Sequence, residues 1–249
     1  MSLSLDDCEV HFNAIRSSSD RDEMRHHLRA LLDVYPVVSF ELGRGSVFWR
    51  GRKIEVTHFD YAAQMGYPPP SVAAQGRLND VGSSCLYAAT REATVLHELG
   101  AIEGEEFQMI GFRLKPGKTI RVAAIGELLH VYKTGYIKSL GLDPNNVLSR
   151  MLNSEGIESG TRLIYIDAFL ASLLADPKAK DTDYLATRVL ASLTLEDSGA
   201  DGFFYPSVQA ELGMNLAILP APYDVGTHIV RSHIVRVKKV REFGIYDYE

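Results

Sequence analysis

The chain has 249 residues, enough for one large domain, or a domain with an appendage, to bury a full core. It is 46% hydrophobic and 23% charged, as a globular protein is, and its formal net charge of −6 argues against a dedicated nucleic-acid binder. The two cysteines, Cys8 and Cys85, are far apart and lack metal-ligand spacing, no apolar run approaches the ~20 residues of a membrane span, and the polar, acidic start does not resemble a signal peptide. These features predict a soluble, cytoplasmic protein with no structural disulfide, no bound metal and no membrane contact.

In chain order, residues 1–36 read as helical. Asp20 is placed to cap a helix in which Met24, Leu28, Leu31 and Leu32 recur at helical spacing. His26 and His27 are adjacent and so point to different faces, which favours a solvated helix surface over a metal role. VVSFEL (37–42), a Gly43-Arg44-Gly45 turn and SVFWRGRKI (46–54) predict a β-hairpin. The glycines there lack the spacing of a phosphate-binding loop. Residues 54–75 are irregular and end in MGYPPPSVAAQ, whose three prolines favour an extended connection.

The segment GRLNDVGSSCLYAATREATVLHE (76–98) predicts a Gly-bearing turn, a strand over 84–89 and a helix opened by Thr90. EEFQMIGFRL (105–114) and 119–124 read as strands around a Lys115-Pro116-Gly117-Lys118 turn. Residues 125–200 are mostly helical: Asp143-Pro144-Asn145-Asn146 starts a turn or short helix, and 161–176 and 183–197 carry apolar stripes. Strands follow in FFYPSV and NLAIL (215–219), and the tail HIVRVKKVREF alternates apolar and basic residues as a half-solvated strand does. Arg236, Lys238 and Lys239 suit a charged edge strand better than a nucleic-acid surface.

Three residues of the 76–98 segment carry candidate chemistry. Arg77 has a planar donor fork suited to phosphate or carboxylate, Tyr87 offers a flat face, and Glu98 is a carboxylate in an otherwise apolar stripe beside Thr94 and Val95. Together they suit a phosphorylated aromatic ligand, and equally an internal Arg77–Glu98 salt bridge with Tyr87 in the core. His97 points to another helix face and reads as structural. Glu103, Glu105 and Glu106 fit a solvated turn more readily than a substrate site. No G-x-S-x-G elbow surrounds Ser207, so a serine-hydrolase triad is rejected.

FWRGR (48–52), MGYPPP (65–70), GRLNDVG (76–82), LYAATREATVLHE (86–98) and YPSV…GMNLA (205–217) agree in order and spacing with the RES-domain family, and most resemble its longer branch. The resemblance covers roughly 47–122 and 200–219. It implies an α+β fold similar to the ADP-ribosyltransferases, with a mixed or antiparallel sheet flanked by helices. The division expected is a helical extension over 1–36 and a RES domain over 37–249 with a helical insertion around 125–200. Implied too is action on NAD⁺, by hydrolysis, phosphorolysis or ADP-ribosyl transfer, in a toxin neutralised by an Xre-like partner protein. Self-association is a further interaction to consider.

By position, the family's Arg falls on Arg77, its aromatic on Tyr87, its Glu on Glu98 and its Ser on Ser207, with Asn79, Arg50 and Asn215 in matching motifs as further cofactor-binding candidates. Cleaving the nicotinamide–ribose bond develops positive charge on the ribose, which Glu98 would stabilise. Arg77 would hold phosphate, Tyr87 would stack on nicotinamide, and Ser207 would bond the ribose or the amide. Gln209 departs from the basic residue that many members carry there. The contrasting expectation is a non-catalytic module that senses a nucleotide or holds a partner in the same pocket.

Overall fold

A computed structural model describes residues 3–59, 62–134, 157–210 and 213–249; the turn expected at Asp143-Pro144-Asn145-Asn146 lies outside them. The chain divides into two compact units, one of residues 1–40, 75–80 and 123–200, the other of 41–74, 81–122 and 201–249. Helices and a large sheet together make the fold α+β.

The first unit is helical. Helix α1 (Leu5–Ser17) opens with a capping box in which the Ser4 hydroxyl accepts from Asp7 N and the Asp7 carboxylate accepts from Ser4 N. In α2 (Arg21–Leu32) the Asp20 carboxylate accepts from Glu23 N, and Met24, Leu28, Leu31 and Leu32 are buried, as their spacing predicts. Phe12 of α1 stacks on Phe169 of α5 (Ile157–Leu174) at 4.0 Å. Arg25 and Arg29 of α2 pair with Glu196 and Asp197 of α6 (Leu185–Ser198).

Asp167 on α5 is fully buried, where an unpaired carboxylate would be costly. It accepts from Tyr35 Oη at 2.6 Å and from Gly126 N and Leu129 N at 2.8 Å, which satisfies the first turn of α4 (Glu127–Thr134). Burial nevertheless pushes its carboxyl above the ordinary range. His26 is exposed, while half-buried His27 turns to α1, with its Nδ1 2.9 Å from His11 Nδ1; among the described residues no group of three ligating side chains gathers to hold a metal.

The second unit holds most of a nine-stranded sheet. Its strands are β1 (Val38–Leu42), β2 (Phe48–Lys53), β3 (Leu86–Ala89), β4 (Glu106–Leu114), β5 (Ile120–Ala124), β6 (Gly202–Pro206), β7 (Met214–Ile218), β8 (Thr227–Arg241) and β9 (Ile245–Tyr248). They lie in the order β1-β5-β6-β7-β3-β2-β4-β8-β9. The expected hairpin of β1 and β2 is corrected here. Both are strands, but β2 pairs antiparallel with β3 and β4, while β1 sits at the far edge beside β5. Gly43 and Gly45 do not adopt the positive φ of a tight hairpin turn, and six residues of β2 find their partners on β4 instead.

On one face of the sheet, helix α3 (Glu92–Glu98) packs over Ala89, Phe107, Met109, Val235 and Val237 through Val95 and Leu96. Helix α7 (Pro220–Gly226) links β7 to β8. No helix among the described residues is long and apolar enough to cross a membrane.

Candidate functional site

Helix α3 is short because its end is specified. Gly100 takes φ +60°, Ala101 N donates to Leu96 O and Gly100 N to His97 O, both at 3.0 Å, which is the Schellman pattern of closing hydrogen bonds. The helix begins one residue later than expected: Thr90 is not its cap, because Thr90 N donates to Met214 O and ties the segment to β7. Around α3, Val95 and Leu99 lie over Gly51, Glu92 faces His233, His97 meets the Tyr246 ring at 4.8 Å, and Thr94 faces Gly213.

Glu98 therefore emerges on the remaining side, exposed rather than buried in a stripe, at the helix end where a carboxylate is least favoured by the backbone dipole. Two donors compensate. Ser207 Oγ donates to Glu98 Oε1 at 2.5 Å, and Asn215 Nδ2 donates to the same oxygen at 2.7 Å. Among the described residues, Oε2 accepts no hydrogen bond.

The two donors are themselves held. The Ser207 hydroxyl accepts from Ala210 N at 2.9 Å and Gln209 N at 3.3 Å, so its proton is directed to Glu98. Ser207 N donates to Gly213 O, closing the loop after β6. A Cβ on Gly213 would stand 2.9 Å from both Ala210 Cβ and Thr94 Cγ2, so only glycine lets this loop lie against α3. Asn215, 6% exposed, projects from β7 opposite Ala89.

Register places Tyr87 as well. Residues directly opposite in antiparallel strands share a face, and Tyr87 pairs with Ala217 while Ala89 pairs with Asn215. Half-buried Tyr87 thus stands on the same face of the sheet as Asn215 and α3. Glu98, Ser207 and Asn215 are joined by hydrogen bonds, and Tyr87 shares their face.

Arg50 is not among them. Trp49 pairs with Ala89 and faces α3, so Arg50 points to the opposite face. Its Nε donates to Met65 O at 2.7 Å and its Nη1 to Tyr87 O at 2.9 Å, which fixes the MGYPPP loop to the sheet. Burial pushes its guanidinium down to about 10, which leaves it cationic at neutral pH.

Arg77 and Asn79 belong to the helical unit. Gly76 N donates to Asn79 O across a tight turn, and Arg77 Nη1 donates at 2.7 Å to the O of Leu174, the last residue of α5, and at 3.2 Å to Asp176 O just past it. The guanidinium also lies 5.2 Å over the Tyr184 ring. Arg77 and Glu98 thus have separate partners in place of the salt bridge weighed above. Asn79 Nδ2 donates to Asp80 O, and the Asp80 carboxylate, not singled out in the sequence, is gripped by Arg21 and Arg188.

The acidic cluster resolves into local contacts: Glu105 pairs with Lys53 and accepts from Ile102 N, and Glu106 stands 4.0 Å from Arg236. The Lys53 hydrogen bond holds the Glu105 carboxyl below its ordinary range.

An exposed glutamate oriented by a serine and a buried asparagine, on a sheet face that also carries a tyrosine, defines an α+β domain with a polar site centred on one carboxylate. A family model for the RES domain matches residues 48–238, and the chain belongs to that family. The match runs through 123–199, where the motifs by themselves offered no support, and leaves α1 and α2 outside. No curated protein and no solved structure matches the chain.

Proposed function

We propose that this RES domain cleaves the nicotinamide–ribose bond of NAD⁺, passing ADP-ribose to water, to phosphate or to a protein side chain. One observation carries the reading: Glu98 has one oxygen fixed by two donors while the other is unoccupied by the described residues. A carboxylate so held cannot rotate away, and its second oxygen is pre-oriented to accept a ribose hydroxyl and to face the positive charge that develops as the glycosidic bond breaks. The bond's electron pair leaves with nicotinamide, which becomes neutral; the acceptor supplies the new bond to the ribose carbon and gives up its proton.

In this reading Ser207 and Asn215 are positioning residues acting through Glu98, and neither serves as a nucleophile. Tyr87, on the same face, supplies the aromatic surface for nicotinamide. An Xre-like protein remains the proposed inhibitor.

The test is NAD⁺ consumption by the purified chain, with and without inorganic phosphate, with product masses determined and Glu98→Gln as control. Release of nicotinamide that the substitution abolishes supports the reading, and ADP-ribose against its 1″-phosphate identifies the acceptor. Intact NAD⁺ binding without consumption in either buffer, or after addition of candidate protein acceptors, would establish a sensing module instead.

A further inference from the structure

Arg91 opens α3 as its N-terminal flanking residue, with extended backbone angles and no capping hydrogen bond from its side chain. It is exposed, and among the described residues its guanidinium has no hydrogen-bond or ion-pair partner. At 100° per residue, the seven-residue step to Glu98 falls about 20° short of two turns and about 10 Å along the axis. The contacts around α3 fix what this means. Leu96 is in the core, Val95 and Leu99 face Gly51, Glu92 faces His233 and His97 faces Tyr246, so the one side left to Arg91 is that of Thr94 and Glu98.

We infer that Arg91 is the diphosphate-binding cation of the Glu98 site, an inference that rests on the NAD⁺ reading above. The ribose that Glu98 would engage is joined through a single methylene to the diphosphate. An arginine side chain reaching from one helical face about 10 Å away spans that interval, and its planar fork matches two phosphate oxygens. The arginines brought forward as site candidates are committed elsewhere: Arg77 Nη1 to carbonyls at the C-terminal end of α5, and Arg50, whose side chain lies on the opposite face of the sheet, to the carbonyls of Met65 and Tyr87. On the loop side of Glu98, position 209 carries Gln209, exposed and uncharged, with its backbone N–H on the same Ser207 hydroxyl that donates to Glu98. A cation placed at 209 would stand beside the same carboxylate, on the loop that holds Ser207.

The experiment uses the full chain carrying Glu98→Gln, so that NAD⁺ is not consumed, and measures calorimetric binding of NAD⁺ and of nicotinamide riboside, which lacks phosphate. Adding Arg91→Ala is expected to weaken NAD⁺ about tenfold or more, the loss of one charge-assisted contact, and to leave nicotinamide riboside unchanged. Adding Gln209→Arg to that variant is expected to restore much of the NAD⁺ affinity. Unchanged NAD⁺ binding in Arg91→Ala, or an equal loss for both ligands, overturns the inference and leaves the NAD⁺ reading standing. If no variant binds either ligand while all keep the parental circular dichroism, both fall together.

Discussion

Two polar clusters in this protein use the same vocabulary of carboxylate and donor, and they end in opposite states. In the sheet unit, Glu98 is held through one oxygen, and the other accepts nothing from the described residues. In the helical unit, Asp80 receives Arg21 Nη1 and Arg188 Nη1 on one oxygen and Arg21 Nη2 on the other, and Arg77 turns its Nη1 to two carbonyls and its flat face to Tyr184. The difference is one of spent against unspent hydrogen-bonding capacity. A motif residue can act on a ligand only with what the fold leaves over: Glu98 keeps an oxygen for the proposed reaction, while Asp80 and the Nη1 of Arg77 attach the GRLND loop to its helices.

The contrast is sharpest under substitution of Glu98 itself. Glu98→Gln is expected to lower NAD⁺ consumption about a thousandfold, as removal of a preorganised charge does, while the melting temperature moves by no more than about a degree. Residual turnover near the parental rate would erase the distinction between the clusters. Ser207→Ala and Asn215→Ala are each expected to cost about 10- to 100-fold in kcat, and the double variant less than the product, because both act on the same oxygen. Additive losses would mean that one of the two touches substrate instead.

The Asp80 cluster gives the smaller, complementary effect. Asp80→Ala is expected to lower stability by about 1 kcal/mol with turnover per folded molecule little changed. Its pH signature has a definite sign. The Arg21 hydrogen bond holds the Asp80 carboxyl below its ordinary value, so the stabilisation is present above about 3.9, the unfolded value, and is lost as pH falls through the lower folded value. Urea melts of the parent and of Asp80→Ala should therefore differ at neutral pH and converge under acid.

The smallest effect is a silence. Burial pushes the Cys85 thiol up to about 12, so iodoacetamide at pH 8 should leave it unmodified in the native chain and label it fully in denaturant.

Much of this architecture was legible in the sequence because its determinants are local. The Asp20 cap, the spacing of Met24, Leu28 and Leu31, and the turn at Lys115-Pro116-Gly117-Lys118 each act within a few residues, and the elements they mark are present. The β1–β2 pairing failed for the converse reason. A turn with glycines offers a hairpin, but the choice of neighbour is made by distant strands, and β4 offered β2 the better match. The site divides along the same line. Glu98, Ser207 and Asn215 stood in recognisable motifs, yet Asn215 as a donor to a carboxylate 117 positions away follows from the β3–β7 register, which no local pattern encodes. Arg91 drew no notice because an arginine before a helix is ordinary until the other faces of that helix have been assigned.

The separation of Glu98 from its two donors also has a consequence in time. The hydrogen bonds that end α3 come from the nearby Gly100 and Ala101, but the residues that steady its carboxylate lie 109 and 117 positions further on, in the loop after β6 and in β7, which pairs with β3. During synthesis the protein therefore carries its principal carboxylate unsteadied for nearly half its length. The hydrogen-bonded site around Glu98 is thus complete only when residues from both halves of the sequence are in place.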